Sequence, residues 1–182
     1  QDIIESLVKD YGKEDAIEIL KHSLNPAKLT VRVNLIKTDM ESFRQNIGVD
    51  TTEIEPTGAL VLNKGIDISN NPLYADGQFF VQDTASQKVV SIFNPKPNER
   101  VLDMCAAPGG KSFSMAILMQ NSGEIVSCDL YEHKCRLIKN SAERLGLGII
   151  KPLVLDATVF DEKLGKFDRV LCDVPCSGLG II

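Results

Sequence analysis

The chain of 182 residues has no tryptophan, two histidines, and aromatic residues at only 5%. His22 and His133 are too few and too scattered for a standard zinc site, so no metal is expected. The five cysteines, at 105, 128, 135, 172 and 176, include no Cys-x-x-Cys pair and are confined to the second half. That odd, unpaired pattern speaks against a disulfide framework and predicts free thiols in a reducing cytoplasm. No window holds the roughly 18 apolar residues of a membrane span, so no membrane partner is expected. The start, Gln1-Asp2-Ile3-Ile4-Glu5, lacks the basic and apolar regions of a signal peptide and has no methionine. It is expected to lie inside a longer protein. A basic excess is also missing: the net charge is -5. Nucleic-acid binding, if any, must then come from a local patch or from chain outside these residues.

What is present is an ordinary globular composition, 43% hydrophobic and 25% charged, and enough chain to bury its own core. The pattern changes near Pro95-Lys96-Pro97-Asn98-Glu99, a turn-rich junction. Before it, residues 1–97 read as a small α+β subdomain. Ile3, Ile4, Leu7, Val8 and Tyr11 recur at helical spacing, and Gly12 breaks the run before a second helix near Ala16. Residues 29–35 alternate and are β-branched, which predicts a strand. Asp39 and Asp83 are expected helix caps. After the junction, residues 98–182 alternate strand and helix: strands at 100–104, 124–128, 151–155 and 167–172, with helices at 111–119 and 131–145. Such alternation predicts parallel βαβ units and a doubly wound α/β sheet. Cys172 is expected inside its strand, in the core.

In such sheets ligands bind beyond the carboxyl ends of the strands. There the sequence places Asp103-Met104-Cys105-Ala106-Ala107-Pro108-Gly109-Gly110-Lys111, then Asp129, Asp156, and Asp173-Val174-Pro175-Cys176-Ser177-Gly178. Small residues let the backbone approach a ligand closely, and the following helix N-terminus suits a carboxylate or phosphate. An acid after the second strand suits the two hydroxyls of a ribose. The dinucleotide pattern G-x-G-x-x-G and the phosphate loop G-x-x-x-x-G-K-[ST] are both absent. A ligand with carboxylate, ribose and adenine fits better, and S-adenosylmethionine has all three.

Cys105 to Lys111 together with Asp173 to Gly178 resembles the RNA cytosine-5 methyltransferases. Within them the chain is most similar to the bacterial Sun/Fmu branch, the 16S ribosomal RNA methyltransferase B type. Arg32-Val33-Asn34 with Lys37, Phe80 to Ser86, and Phe167 to Leu171 support that branch. The resemblance implies a Rossmann-like S-adenosylmethionine-dependent methyltransferase sheet, of which these residues hold the first four strands. By position, Cys105, Ala106, Ala107, Pro108, Gly109, Gly110 and Lys111 would surround the methionine part of the cofactor. Asp129 would hold the ribose, Asp156 would sit at the adenine, and Asp173 would lie between cofactor and cytosine. Arg32, Asn34 and Lys37 would be RNA contacts in the α+β subdomain. The implied partner is 16S ribosomal RNA, free or partly assembled, and the full-length protein would be a monomer.

The chemistry needs a thiol. Carbon 5 of cytosine is a poor nucleophile until a thiolate adds to carbon 6, and a base must later remove the carbon 5 proton. The family uses two cysteines: a nucleophile in a Thr-Cys motif, and a Pro-Cys cysteine that helps release product. Cys176 matches the second. No Thr-Cys pair occurs in residues 1–182, so the nucleophile is expected beyond Ile182 and this stretch by itself is expected to be inactive. A transfer-RNA-directed relative and a non-catalytic nucleotide- or RNA-binding module are the competing readings.

Overall fold

The structure is a computed structural model that describes residues 2–24, 28–159 and 161–174. The described residues fall into two units, one holding residues 2–24 and 28 and the other beginning at residue 29 and running to 174. In the first unit, helices α1 (Asp2–Tyr11) and α2 (Lys13–Ser23) are separated by Gly12 at φ +81. None of the helices among the described residues is long and apolar enough to cross a membrane.

The second unit opens with β1 (Thr30–Val33), α3 (Met40–Asn46), β2 (Thr51–Ile54), β3 (Ala59–Leu62), α4 (Pro72–Ala75) and β4 (Phe79–Val81). The strands form an antiparallel sheet in the order β2-β3-β1-β4, with Val31 opposite both Leu60 and Val81. Asp39 caps α3 by accepting from the Ser42 amide at 2.8 Å, as its position predicts. Val31, Val33, Phe43, Leu60, Leu62 and Phe79 make the core, with the Phe43 and Phe79 rings edge to face at 5.4 Å.

Helix α5 (Thr84–Phe93), capped by Asp83, leads into β5 (Arg100–Asp103), α6 (Gly110–Leu118), β6 (Glu124–Asp129), α7 (Glu132–Leu145), β7 (Ile150–Val154), a single 3-10 turn and β8 (Arg169–Leu171). These four strands are parallel, in the order β7-β6-β5-β8. The chain therefore winds from β5 outward to β7, then returns to β8 on the other side of β5. The crevice beyond β5 and β8 is the switch point at which such sheets bind ligands. Val101, Met115, Ile125, Ile138, Leu145 and Ile150 fill the core between this sheet and its helices.

Two features depart from the sequence reading. Cys172 is exposed and lies just past β8, which ends at Leu171, so it is not a core residue. And β1 is buried on both faces, although its alternation and the expected RNA contacts of Arg32 and Asn34 call for an open face. Arg32 donates to the Thr57 carbonyl at 2.7 Å and faces Gln87, and burial pulls its pKa down from the ordinary value. Asn34 is 0% exposed and donates to the carbonyls of Gly77 at 2.9 Å and Leu145 at 2.8 Å. Lys37 is exposed, but its ammonium bridges the carbonyls of Asp76 and Arg144. Arg32 and Asn34 thus hold strands, loops and the end of α7 together, and neither presents a side chain to RNA. The approach is close enough that a Cβ on Gly77, at φ +75, would sit 2.1 Å from the Arg144 carbonyl oxygen. An Asn34→Ala chain leaves two buried carbonyls without their donor and is expected to lose about 2 kcal/mol or more, read as a lower urea midpoint with an unchanged slope.

The amino ends of the parallel strands are tied by charge. Arg100 bonds to Glu124 at 2.6 Å and to the carbonyls of Leu164 and Lys166, and its guanidinium lies over the Phe167 ring. Arg169 holds Glu99 with both ends of its fork, at 2.7 and 3.1 Å. Phe167 and Arg169 are therefore scaffold at the edge opposite the ligand crevice.

Candidate functional site

The loop after β5 is pinned on both sides. The Met104 amide donates to Leu171 of β8 at 2.9 Å, and the Ala106 amide donates to Cys128 of β6 at 2.7 Å. Gly109 caps α6 at φ +111, and a Cβ there would lie 2.2 Å from the Phe113 ring. Only glycine fits, and it brings no side chain to cap the helix. The first turn of α6 therefore keeps its backbone donors and positive dipole end for a ligand.

Four acids stand at the carboxyl edge. Asp129 ends β6, is 9% exposed, and accepts from the Tyr131 amide at 3.1 Å, with the Lys134 ammonium 3.9 Å away. Asp156, two residues past β7, is exposed and accepts from the Thr158 amide and hydroxyl, which hold its carboxyl below the usual range. Asp173, two residues past β8, pairs with the Lys111 ammonium at 2.5 Å. These three predicted positions share the edge with the loop from Cys105 to Lys111. Cys176, the predicted catalytic thiol, lies outside the described residues.

The fourth acid, Asp103, stands in the sequence only as the end of the first parallel strand, with no role assigned to it. It is 1% exposed, and Oδ2 accepts from the Ser112 hydroxyl at 2.7 Å, which itself accepts from Ser127. Its other oxygen, Oδ1, is buried with no partner. Burial pushes this carboxyl up to about 6, opposed by the Ser112 hydrogen bond and Lys111 and aided by Asp173. The signal available was its place as the last residue of the first parallel strand; its burial depends on Ser112 and Ser127 folding over it.

The thiols near the site are not activated. Burial raises the pKa of Cys105, and Cys172, Asp103, Asp129 and Asp173 raise it further. Cys128 is pushed up to about 12 by burial first. Neither environment favours a thiolate. Among the described residues no group of three or more His, Cys, Asp or Glu is placed to hold a metal ion.

A buried acceptor without a partner, an uncapped helix N-terminus and a glycine cradle suit an amino-acid head with both charges. The acid after β6 suits vicinal hydroxyls. The residues present fit S-adenosylmethionine.

Known proteins place the chain in a family. Residues 90–182 match the family model for the 16S rRNA methyltransferase RsmB/F, and residues 2–69 match its ferredoxin-like domain. The chain is 42% identical to the probable ribosomal RNA small subunit methyltransferase B of Bacillus subtilis, over 98% of this chain and 42% of that protein. It is 32% identical to a tRNA (cytosine(49)-C(5))-methyltransferase of Pyrococcus abyssi, over 99% of this chain and 60% of that one. A methyltransferase homologue from Pyrococcus horikoshii, known as a crystal structure, superposes with a TM-score of 0.87 at 28% identity, over 96% of this chain and 59% of that one. The chain thus spans less than two thirds of each of these proteins.

Proposed function

We propose that this chain, which belongs to the 16S rRNA methyltransferase RsmB/F family, binds S-adenosylmethionine at the carboxyl edge of β5, β6 and β8 and serves methylation of carbon 5 of a cytosine in RNA. The observation that carries the reading is the convergence of Asp103, Asp129 and Asp173 with the uncapped N-terminus of α6 at the switch point.

When bound, the cofactor supplies an electrophilic methyl group. The chain's own residues bind and orient it. Asp103 would take the ammonium, the first turn of α6 the carboxylate, and the loop from Cys105 to Gly109 the methionine chain. Asp129 would hold the ribose hydroxyls, and Asp156 would serve the adenine. Asp173, held by Lys111, stands where it can accept from the exocyclic amine of a cytosine. The base must leave its stack to reach it. Cys176 is assigned to product release. Residues 1–97 serve as the RNA-contacting subdomain, without Arg32 and Asn34 as contacts.

The preferred substrate is 16S ribosomal RNA, supported by the Bacillus relative; a tRNA substrate is the second reading, supported by the Pyrococcus abyssi relative. Residues 1–182, which contain no Thr-Cys pair, are expected to bind the cofactor in calorimetry and to transfer no methyl group to either RNA. Transfer to cytosine by these residues would overturn the two-thiol assignment. Bisulfite sequencing after deletion of the gene should reveal one 16S cytosine without its methyl group. Loss at a tRNA position instead would select the second reading, and no change in either RNA would leave a binding module.

A further inference from the structure

Gln82 follows β4 of the antiparallel sheet, yet its side chain reaches the first turn of α6. It is 6% exposed. Its Oε1 accepts from the Ser114 hydroxyl at 2.7 Å, which ties the carboxamide to α6. Its Nε2 is buried and has no partner. That nitrogen lies 3.4 Å from where a Cβ on Gly110 would stand, beside the start of α6.

A buried amide nitrogen without an acceptor costs about 1–3 kcal/mol, so it calls for a partner, and a ligand carboxylate is one that supplies an acceptor. Among the described residues the buried side-chain atoms without partners are two: this donor, Gln82 Nε2, and one acceptor, Asp103 Oδ1. Both border α6, which begins at Gly110 and carries Ser112 and Ser114. One orphan donor and one orphan acceptor complement a group that carries a carboxylate and an ammonium on the same carbon.

We propose that Gln82 Nε2 donates to the carboxylate of the amino-acid head of the cofactor, so that the antiparallel sheet completes the cofactor pocket and selects ligands that carry this head. The inference rests on the S-adenosylmethionine reading above. The carboxylate then takes one N–H from Gln82 and others from the first turn of α6, while Asp103 takes the ammonium. Ser114 is a positioning residue that acts through Gln82.

S-adenosylhomocysteine and 5′-methylthioadenosine share adenosine and sulfur, but only the first has the amino-acid head. Calorimetry on the chain should show Gln82→Leu binding S-adenosylhomocysteine about ten- to a hundredfold more weakly, with 5′-methylthioadenosine changed less than about twofold. Gln82→Glu, which turns a negative group on the carboxylate, should show the same split at least as strongly. In the unsubstituted chain, the side-chain amide resonances of Gln82 should shift on adding S-adenosylhomocysteine and stay in place with 5′-methylthioadenosine. Equal loss for both ligands would reduce Gln82 to a packing role and overturn the proposal, as would resonances that respond to both alike. An unsubstituted chain that binds neither ligand would overturn the cofactor reading itself.

Discussion

An Asp129→Ala chain is expected to bind S-adenosylmethionine about a hundredfold more weakly than the unsubstituted chain, a loss of roughly 3 kcal/mol. The carboxylate sits at the end of β6, beside the loop that Ala106 pins to Cys128. It is mostly removed from water, so hydrogen bonds from two ribose hydroxyls to its oxygens meet little solvent competition. Alanine removes the acceptor and leaves both hydroxyls to be buried unpaired. Asp129→Asn, which keeps one acceptor oxygen, should fall between the two. The folded chain itself should change little, since the main lost contact is the hydrogen bond from the Tyr131 amide, worth about 1 kcal/mol at a helix start. Calorimetry at fixed pH, with a thermal melt of the free chain as control, separates these effects. Binding undiminished in Asp129→Ala would remove the ribose assignment and, with it, the main reason to prefer a nucleoside ligand.

The parallel half of the fold was legible because its strands are short apolar runs that each end in an acid or a glycine turn. Val101-Leu102 before Asp103 and Ile125 to Cys128 before Asp129 carry both the strand signal and the site signal. Strand β4 leaves no sequence signal because three residues, Phe79 to Val81, are too few to show a period. The role of Arg32 and Asn34 is hidden for a different reason. A polar residue in a strand reads as a solvent face, and alternation within one strand is blind to what covers that face. Here Thr57, Gln87, Gly77 and Leu145 cover it, from 25 to 111 residues away. Asp103 is legible as a strand end and Gln82 as part of Phe80 to Ser86, but neither shows a role of its own until serines of α6 fold against it. Residues whose function lies in their backbone or at a strand end could be read from the chain. Residues defined by distant neighbours could not.

Asp103 yields the last prediction, in which stability and affinity respond to pH in opposite directions. Its carboxyl holds a proton up to about pH 6 in the folded chain, whereas the unfolded chain releases it near the ordinary value of 3.8. Between those values the folded state binds more protons, so raising the pH through this window lowers the stability of the free chain. The full difference corresponds to about 3 kcal/mol and persists at neutral pH. The cofactor reverses the balance. Its ammonium pairs only with the ionised carboxylate, so protonation competes with binding below pH 6. Affinity should be about tenfold weaker at pH 5 than at pH 7. Lys111 and Asp173 also face this carboxyl, with opposite influence, so the test must remove Asp103 itself. Asp103→Asn should bind about a hundredfold more weakly at pH 7, since a charged hydrogen bond is lost, and its affinity should be flat from pH 5 to 7. Its stability should also lose the decline between pH 4 and 6, measured by urea unfolding across that range. A variant that kept the slope in affinity would assign the titration to another group and leave the buried oxygen of Asp103 without a ligand to explain it.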